Sequence, residues 1–418
     1  MAVIEIIGGR PLTGELMVQG SKNAALPLMA ACVLCRGTVR LANCPDIQDV
    51  QTMTELLRTL GCRVIREQET LCLDTSGPLR CEVTGEEVRK SRASILLLGA
   101  LAGREHRVRI ARPGGCSIGE RKIDLHLAAL ESLGMQVEEK GDVVICEGGQ
   151  PEGCEIVLRF PSVGATENAI LASVLAKGTT RIQNAAAEPE IGILCEFLNQ
   201  AGAKITGAGT GTITIQGVEA LSDTEYTLSG DRIVAGTYLA AAAGTHGEVR
   251  LRGVRIEELG SLLPLLEEMG CGVWADEEAG CVELWSKGKL KSAEVITKPY
   301  PGFPTDMQSQ MLALFCRAEG ISRVSETIFE NRFHAAGELG KLGAKIQVEE
   351  NTAIVTGAPL SGGTVTAADL RGGAALVLAG LFAKGTTTVC DPQNYIGRGY
   401  EDIVRDLQRL GAEMKRLA

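Results

Sequence analysis

The hydrophobic positions of this 418-residue chain follow a repeating pattern. Amphipathic segments end in an apolar residue and a glycine, and the same ending recurs six times. The glycines are Gly61, Gly134, Gly202, Gly270, Gly343 and Gly411, at spacings of 73, 68, 68, 73 and 68 residues. Each precedes a strand-like run, so we expect each glycine to end a helix in the left-handed backbone conformation.

A second type of segment lies between successive glycines and is apolar on all sides. Such a pattern predicts a helix that is buried on every face. These segments cover residues 23–35, 93–102, 165–176, 233–243, 307–317 and 372–383. Five of them are followed by a glycine and a short β-type run, and the sixth run, at 107–110, is looser. Each unit is therefore predicted to contain a buried helix, a sheet and a more polar outer helix.

The repeat predicts an α/β fold, α+β by some schemes, of two domains with three units each. A solenoid is the alternative, but a unit of about 70 residues with its own sheet is large for one. The sixth unit lacks the strands that follow each of the other five units. Residues 1–20, which precede the first unit, are strand-like and belong to none of the six. We predict one domain at 22–230 and another formed by 1–21 with 231–418. Limited proteolysis that yields two simple contiguous halves would contradict this division.

Composition and charge narrow the classes of protein. The chain is 45% hydrophobic and 22% charged, which suffices for more than one core. Its formal net charge of -10 argues against a nucleic-acid partner and means that an anionic ligand needs a local basic cluster. Neither a signal peptide nor an apolar run of roughly 18 residues occurs, so we expect a cytoplasmic protein without a membrane partner.

Fourteen cysteines are scattered along the chain, and reduced thiols of a cytosolic protein explain them best. Cys32 and Cys35 have CxxC spacing but lie in an apolar run without a second pair, so we assign them to the core. Cys116 differs, because it lies among three glycines and between Arg112 and Arg121. The arginines favour the thiolate, and the glycines allow the loop to close over a ligand. Cys116 is therefore a candidate reactive thiol.

Polar groups cluster where the six apolar segments begin. Serine, threonine and aspartate there are ordinary N-caps, which explains part of the pattern. Lys22, Arg92 and Arg371 need another explanation, because the helix dipole disfavours cations at a helix start unless an anion is shared with the free N–H groups. If three such starts from each domain faced one cleft, the cleft would suit phosphate and carboxylate groups.

These residues belong to motifs that are spaced along essentially the whole chain. The motifs are 20–26, 92–94, 113–119 with Arg121 and 124–126, 161–166, 188–190, 231–233, 303–308, 330–333, 369–371 and 398–401. In this order, the sequence resembles the UDP-N-acetylglucosamine 1-carboxyvinyltransferases, a family of enolpyruvyl transferases. The resemblance implies a two-domain inside-out α/β barrel, each domain with three βαβαββ units around buried helices, and an active site in the cleft between the domains.

The resemblance also implies a reaction. Enolpyruvate passes from phosphoenolpyruvate to the 3′-hydroxyl of UDP-N-acetylglucosamine by addition and elimination, with release of phosphate, as the first committed step of peptidoglycan synthesis. No cofactor, metal or obligate protein partner is implied. Cys116 is the implied proton donor, can form a covalent adduct and is the target of fosfomycin. Asp306 is the implied base or orienting carboxylate at the sugar hydroxyl.

The other implied roles concern binding. Lys22, Arg121 and Arg398 contact phosphoenolpyruvate, with Arg92 and Arg371 nearby. Asn23 contacts the sugar. The remaining substrate-binding residues implied are Lys122, Ile123, Asp124, Leu125, Ser162, Val163, Gly164, Ile328, Arg332 and Asp369.

Four places depart from the family pattern, and two alternatives to the main interpretation remain open. The departures are Val234, Gly397, the segment 333–337 and Gly192 with Ile193. They concern domain closure and turnover rather than the residues assigned to chemistry. One alternative is the enolpyruvyl transferase that acts on shikimate 3-phosphate, which lacks the Gly-Gly-Cys loop. The other is a non-catalytic relative that binds a nucleotide sugar.

Overall fold

The computed structural model describes residues 2–114, 119 and 121–417. They form two compact units. The N-terminal unit contains residues 20–114 and 121–228, and the C-terminal unit contains 2–19, 119 and 229–417. Both boundaries lie two residues before those of the predicted 22–230 domain. Cys116 lies outside the described residues, so its predicted loop position has no structural counterpart here.

Six four-stranded sheets among the described residues share one arrangement, in which an edge strand runs parallel to its neighbour and the next two strands are antiparallel. Three belong to the N-terminal unit. Their strands, in spatial order, are Thr224–Thr227, Thr38–Ala42, Thr70–Asp74 and Arg63–Glu67; Glu82–Val83, Arg107–Ala111, Val143–Glu147 and Gln136–Lys140; and Glu155–Val157, Thr179–Gln183, Thr212–Gln216 and Lys204–Thr206.

The C-terminal unit holds the other three four-stranded sheets and a short parallel pair, Leu290–Lys291 with Ala318–Glu319. The strands of the larger sheets, in spatial order, are Gly272–Asp276, Cys281–Trp285, Glu248–Arg252 and Thr13–Met17; Glu294–Ile296, Ile321–Ser325, Thr352–Thr356 and Lys345–Glu349; and Thr364–Thr366, Thr386–Asp391, Ala2–Ile7 and Glu413–Leu417. Every predicted β-type run that follows an apolar helix forms one of these strands.

Helices alternate with the strands to give βαβαββ units. Those of the N-terminal unit are α1 Lys22–Cys32, α2 Gln48–Leu60, α3 Glu87–Lys90, α4 Leu96–Glu105, α5 Asp124–Ser132, α6 Val163–Ser173 and α7 Pro189–Gln200. Those of the C-terminal unit are α8 Arg232–Gly244, α9 Leu263–Glu268, α10 Gln308–Phe315, α11 His334–Lys341, α12 Leu370–Phe382 and α13 Ile403–Arg409. Short 3-10 turns are Val33–Cys35, Arg92–Ile95, Ile256–Leu259, Thr305–Met307 and Ile396–Arg398.

The six predicted apolar helices form the centres of the two cores. Helices α1, α4 and α6 lie inside the N-terminal unit, and α8, α10 and α12 lie inside the C-terminal unit, with nearly all of their residues buried. Burial of each leucine- or isoleucine-sized side chain contributes about 1.5–3 kcal/mol. Polar side chains beyond the first turns, such as Arg104, Asn168 and Thr237, are buried and hydrogen-bonded. The prediction of centrally buried helices is confirmed.

The six repeat glycines have the backbone that the sequence predicts. Their φ angles are 106° at Gly61, 86° at Gly134, 106° at Gly202, 100° at Gly270, 93° at Gly343 and 92° at Gly411. A side chain at such an angle is strained, whereas glycine is not. The glycines therefore end the outer helices and turn the chain into the next strand.

Three strands join sheets far from their own place in the sequence. Ala2–Ile7 lies between Thr386–Asp391 and Glu413–Leu417, antiparallel to both. Thr13–Met17 pairs in parallel with Glu248–Arg252. In the N-terminal unit, the late strand Thr224–Thr227 pairs in parallel with the early strand Thr38–Ala42. Each of these three strands therefore completes a sheet whose other strands lie far away in the sequence.

Helix α11 offers a stability prediction, because Gly337 and Gly340 are exposed in its interior and an added Cβ would meet no atom within 4 Å. Gly337→Ala and Gly340→Ala should each raise the free energy of unfolding by about 0.5–1 kcal/mol, since alanine has the lower backbone entropy in the unfolded chain. Urea unfolding measures this. Gly99→Ala is the control, because its Cβ would lie 2.5 Å from the Asn168 backbone oxygen and should destabilise α4. A loss of stability on Gly337→Ala would contradict the prediction.

Candidate active site

Asp306 lies at the start of α10 and binds two arginines in the C-terminal unit. Its Oδ1 accepts a hydrogen bond from Arg332 Nη2 at 2.6 Å, and its Oδ2 accepts one from Arg371 Nη2 at 2.9 Å. The arginine side chains are 3% and 4% exposed, whereas that of Asp306 is 28% exposed. Two buried cations therefore hold one carboxylate that solvent, or a ligand, can still reach.

The two arginines also control the charge of Asp306. Burial by itself raises the pKa of the Asp306 carboxyl, but Arg371 and Arg332 outweigh it and hold the pKa well below its usual range. A depressed pKa means that the stabilising contribution of this group is present above about pH 3.9 and is lost only as pH falls to the lower folded-state pKa. Asp306 therefore stays ionised throughout the neutral range and is a weak base in the absence of a ligand.

Each arginine keeps a donor beyond its bond to Asp306. In the described part of the chain, Arg371 Nη1 and Arg332 Nε are buried and have no acceptor. Buried hydrogen-bond donors normally have an acceptor. These two donors belong to arginines that bind the Asp306 carboxylate, so they are suited to bind a ligand oxygen there. The rings of Tyr400 and Phe329 cover the guanidinium groups of Arg371 and Arg332 at 6.0 and 5.3 Å respectively.

Asp369 and Tyr400 fix the helix start that carries Arg371. Oδ1 of the Asp369 carboxylate accepts hydrogen bonds from Arg371 N at 3.0 Å and Gly372 N at 2.9 Å, so Asp369 is the N-cap of α12. The Tyr400 hydroxyl lies 2.8 Å from Thr237 Oγ1, which also accepts from Gln310 Nε2 at 3.2 Å. These bonds join the buried helices α8 and α10 to Tyr400, whose ring lies against Arg371 of α12.

Arg398 and Ile328 lie on short turns of the same unit. Arg398 ends the 3-10 turn Ile396–Arg398. The Asp391 carboxylate fixes the start of this turn by accepting hydrogen bonds from Tyr395 N at 2.7 Å and Ile396 N at 2.9 Å. The Ile328 N–H donates to Glu326 Oε1 at 2.8 Å. The structure therefore brings Asp306, Arg332, Arg371 and Asp369 into one cluster and gives Arg398 and Ile328 fixed turns of their own.

Lys22 and Asn23 open helix α1 in the N-terminal unit. Lys22 Nζ lies 2.9 Å from Asp49 Oδ2, and the two side chains are 12% and 5% exposed. Asn23 Nδ2 donates to Glu190 Oε1 at 3.3 Å. In the structure, Lys22 pairs with the carboxylate of Asp49 and Arg371 with that of Asp306, so each of these two helix-start cations has a carboxylate partner within the chain.

Arg92 differs from the other two helix-start cations. Its Nη2 donates to the Lys122 backbone oxygen at 3.1 Å, and among the residues that the structure describes no carboxylate pairs with it. Burial and the charge of Arg121 lower the pKa of Arg92 to about 10. Two like charges are brought together here, which favours binding of an external anion.

The predicted nucleotide-binding segment surrounds the starts of α5 and α6. Ile123 is buried, Asp124 is the first residue of α5 and pairs with Arg159, and Leu125 packs on the core. Ser162 caps α6 by accepting from Ala165 N at 3.4 Å, and Val163 and Gly164 form the first turn. The start of α5 thus follows directly after Arg121 and Lys122, and the Lys122 backbone oxygen accepts a hydrogen bond from Arg92.

His126 packs beneath Gly164 and is tied to Asn168. The Asn168 Oδ1 accepts from Gly99 N at 2.6 Å and its Nδ2 donates to the Ile95 oxygen, so the amide presents a donor to His126 Nδ1 at 2.7 Å. His126 Nδ1 must then be an acceptor. Burial, followed by the charge of Arg92, lowers the pKa of His126 to about 3.

This arrangement predicts a pH dependence of stability. The unfolded chain binds a proton at His126 near pH 6.5, whereas the folded chain does not until about pH 3, so stability falls as pH decreases below 6.5. Between pH 7.5 and 5 the loss should reach about 2 kcal/mol, and His126→Gln should remove most of that dependence. Denaturant unfolding at both pH values, with the exposed His334→Gln as control, measures it. An unchanged pH dependence in His126→Gln would contradict the assignment.

Three of the sequence departures lie next to site segments. Val234 is buried in the first turn of α8, where its N–H is capped by Asp231. A Cβ at Gly397 would lie 2.5 Å from the Asn394 side chain, so a larger residue there requires Asn394 to move. Gly192 in α7 has open space around it.

Sequence reasoning missed Asp49, Glu326 and Tyr400. Asp49 lies in the first turn of α2, where an acidic residue is ordinary, so nothing in the sequence marks it as the partner of Lys22. Tyr400 is part of a quoted motif, but its buried hydroxyl bond to Thr237 joins positions 163 residues apart. Such partners become visible only when the chain is folded.

A search of the described residues finds no group of three or more histidine, cysteine, aspartate or glutamate side chains placed to hold a metal ion. In the same part of the chain, no helix is both long enough and apolar enough to cross a membrane.

Comparisons with known proteins were made for the whole sequence. A family model described as EPSP synthase (3-phosphoshikimate 1-carboxyvinyltransferase) matches residues 6–407. UDP-N-acetylglucosamine 1-carboxyvinyltransferase 2 of Caldanaerobacter subterraneus subsp. tengcongensis is 46% identical over 419 residues, with 100% of both chains covered. UDP-N-acetylglucosamine 1-carboxyvinyltransferase 1 of Symbiobacterium thermophilum is 48% identical, covering 99% of this chain and 94% of its own.

Two solved structures resemble this one. The enolpyruvyl transferase NikO from Streptomyces tendae superposes with a TM-score of 0.89 at 28% identity, covering 99% of this chain and 98% of its own. EPSP synthase from Acinetobacter baumannii superposes with a TM-score of 0.79 at 18% identity, with 100% of both chains covered. The second likeness concerns the fold alone. Both agree with the α/β architecture of two three-repeat domains that the sequence predicts.

Proposed function

Because the chain belongs to the enolpyruvyl transferase family, among the UDP-N-acetylglucosamine 1-carboxyvinyltransferases, we propose that it transfers enolpyruvate from phosphoenolpyruvate to the 3′-hydroxyl of UDP-N-acetylglucosamine. Phosphate is released, and the product enters peptidoglycan synthesis. The observation that carries the proposal is the full-length identity of 45–48% to relatives of that name, against 18% to the shikimate enzyme. We also propose a cytoplasmic location and a role in cell shape and division, in keeping with that step.

The reaction divides into addition and elimination. In the addition, Cys116 delivers a proton to the methylene carbon of phosphoenolpyruvate, while the sugar 3′-oxygen bonds to the adjacent carbon and gives its proton to a phosphate oxygen. In the elimination, the Cys116 thiolate takes back a methyl proton and the carbon–oxygen bond to phosphate breaks, which restores the double bond and releases the protonated phosphate. Both steps need cations to hold a phosphate and a carboxylate.

Four cations are proposed to hold these anions. Lys22, Arg121 and Arg398 bind phosphoenolpyruvate, and Arg92 supports Arg121 with a charge that lacks a described carboxylate partner. Planar arginines suit phosphate and carboxylate, while lysine provides a compact charge. Lys22 must exchange or share its bond to Asp49 when the ligand binds.

Asp306 is proposed to orient the sugar hydroxyl. A general base works best with a pKa near the operating pH, and the pKa of Asp306 lies well below its usual range. A permanently ionised carboxylate can still accept the hydroxyl hydrogen bond and stabilise positive charge that develops on the attacking oxygen. The depressed pKa therefore supports the orienting role over the basic one in the ligand-free protein.

The nucleotide is proposed to bind at Arg121, Lys122, Ile123, Asp124 and Leu125, together with Ser162, Val163 and Gly164. These segments include the first turns of α5, which has no side-chain cap, and of α6, which Ser162 caps at Ala165 N, and the N–H groups of such turns favour anions. Ile328 is also proposed to contact the nucleotide, and Asn23 to contact the sugar.

One assay separates the proposal from its alternatives. The protein is incubated with phosphoenolpyruvate and either UDP-N-acetylglucosamine or shikimate 3-phosphate, and released phosphate is measured. Release with the nucleotide sugar alone is expected. Release only with shikimate 3-phosphate would assign the other transferase activity, and no release with either, despite binding of the nucleotide sugar, would assign a non-catalytic relative.

A further inference from the structure

Glu326 is a buried carboxylate whose two oxygens are both engaged by neutral donors. Glu326 is 2% exposed. Oε1 accepts from Thr297 Oγ1 at 2.8 Å, Ile328 N at 2.8 Å and Phe329 N at 3.1 Å. Oε2 accepts from Thr305 Oγ1 at 2.8 Å. A buried glutamate without a cation among these partners holds its place through the four hydrogen bonds.

The four donors come from three separate segments of the C-terminal unit. Thr297 follows the strand Glu294–Ile296, Thr305 begins the 3-10 turn that contains Asp306, and the amides of residues 328 and 329 follow the strand Ile321–Ser325. Thr297 strengthens the junction, because its hydroxyl also accepts from Thr327 N at 2.9 Å. Glu326 therefore links the 3-10 turn that contains Asp306 to the loop that contains Ile328.

We infer that Glu326 is a positioning residue for the proposed transfer. One carboxylate oxygen fixes Thr305, whose neighbour Asp306 orients the sugar hydroxyl, and the other fixes the backbone of the loop that bears Ile328. Misplacement of reacting groups by about 1 Å can cost a hundredfold in rate even when the change lies away from the chemistry. This inference rests on the proposed function, because it assigns Glu326 to that same site.

The chemistry of the junction predicts which replacements are tolerated. In Glu326→Gln, the amide oxygen can take over the three bonds of Oε1, and the amide nitrogen can donate to Thr305 once the hydroxyl rotates. In Glu326→Ala all four donors lose their acceptor, and unsatisfied buried groups are costly. The charge of Glu326 is thus dispensable, whereas its hydrogen-bonding shape is required.

The test is a double-mutant cycle on Glu326 and Thr305, with kcat and both KM values measured by phosphate release. Glu326→Ala should lower kcat about tenfold to a hundredfold, and Glu326→Gln should stay within about threefold of wild type. Thr305→Val should lower kcat about tenfold, and Thr305→Ser should keep the wild-type rate within about threefold. In the Glu326→Ala background, Thr305→Val should cost less than about threefold more, because both changes break the same link.

The outcomes are distinct from those of the main proposal. Thermal unfolding of each variant checks that it is folded at the assay temperature, and Glu326→Gln and Thr305→Val keep the test available if Glu326→Ala does not fold. Three results would overturn the positioning role even though the wild-type protein is active. They are a wild-type kcat in Thr305→Val, equal losses of kcat in Glu326→Gln and Glu326→Ala, and multiplicative losses of kcat in the double variant. An inactive wild-type protein would instead overturn the proposed function.

Discussion

Asp306→Ala is expected to lower kcat by about 10²–10³-fold, the range for loss of one group that stabilises charge developing in the transition state. It should also destabilise the C-terminal unit by about 3–5 kcal/mol, because the guanidinium groups of Arg332 and Arg371 would remain buried without their carboxylate. Phosphate release and denaturant unfolding measure the two effects separately.

Glu5→Ala is the matched control for this prediction. Glu5 pairs with Lys415 at 2.8 Å and its side chain is 28% exposed, the same fraction as that of Asp306. Its partner is exposed rather than buried, so the change should cost about 0–1 kcal/mol and leave kcat unaltered. If Asp306→Ala were no more destabilising than Glu5→Ala, the two arginines would not depend on Asp306 as we describe.

Cys116→Asp is expected to retain turnover within about tenfold of wild type and to escape inactivation by fosfomycin. A carboxylic acid can still donate the proton to phosphoenolpyruvate, but it is a poor nucleophile towards the epoxide carbon of this phosphonate. Cys116→Ala, which has no proton to donate, should lose about 10²–10⁴-fold in kcat. Mass spectrometry of the wild-type protein should find the label on Cys116.

Cys72 provides a control thiol. It is partly exposed, and burial, its largest influence, raises the pKa of its thiol, so fosfomycin should not label it. Cys72→Ser should therefore keep both turnover and sensitivity to the drug. Label on another cysteine, or inactivation of Cys116→Asp, would refute the role of Cys116 as the reactive thiol.

The fold was largely predictable because its signals are local. An apolar segment without a polar face specifies a buried helix, and a glycine after an outer helix specifies the left-handed turn, so Gly61 and its five counterparts located the repeats. The strand partners could not be predicted from the sequence. The pairing of Thr224–Thr227 with Thr38–Ala42, for example, depends on tertiary packing between segments at opposite ends of the N-terminal unit's sequence.

The site was predictable where an unusual charge lies at a helix start. Arg371 drew attention because the helix dipole disfavours it, and the structure supplies Asp306 as its partner. Glu326 escaped notice because its donors at Thr297 and Thr305 are 29 and 21 residues away, and a single glutamate after a strand is normally exposed. Burial of a polar group is a tertiary property, so sequence patterns rarely reveal it.

The exchanged strands set an order for folding during synthesis. The N-terminal unit has all its strands once residue 227 has left the ribosome, so it can fold while the rest is being made. Ala2–Ile7 must wait, because at about 5–20 residues per second the roughly 380 residues up to its partner at Thr386 take about 20–80 s. During that time an unpaired β-strand is exposed next to a folded unit, which makes the first residues of the chain the segment most in need of a chaperone.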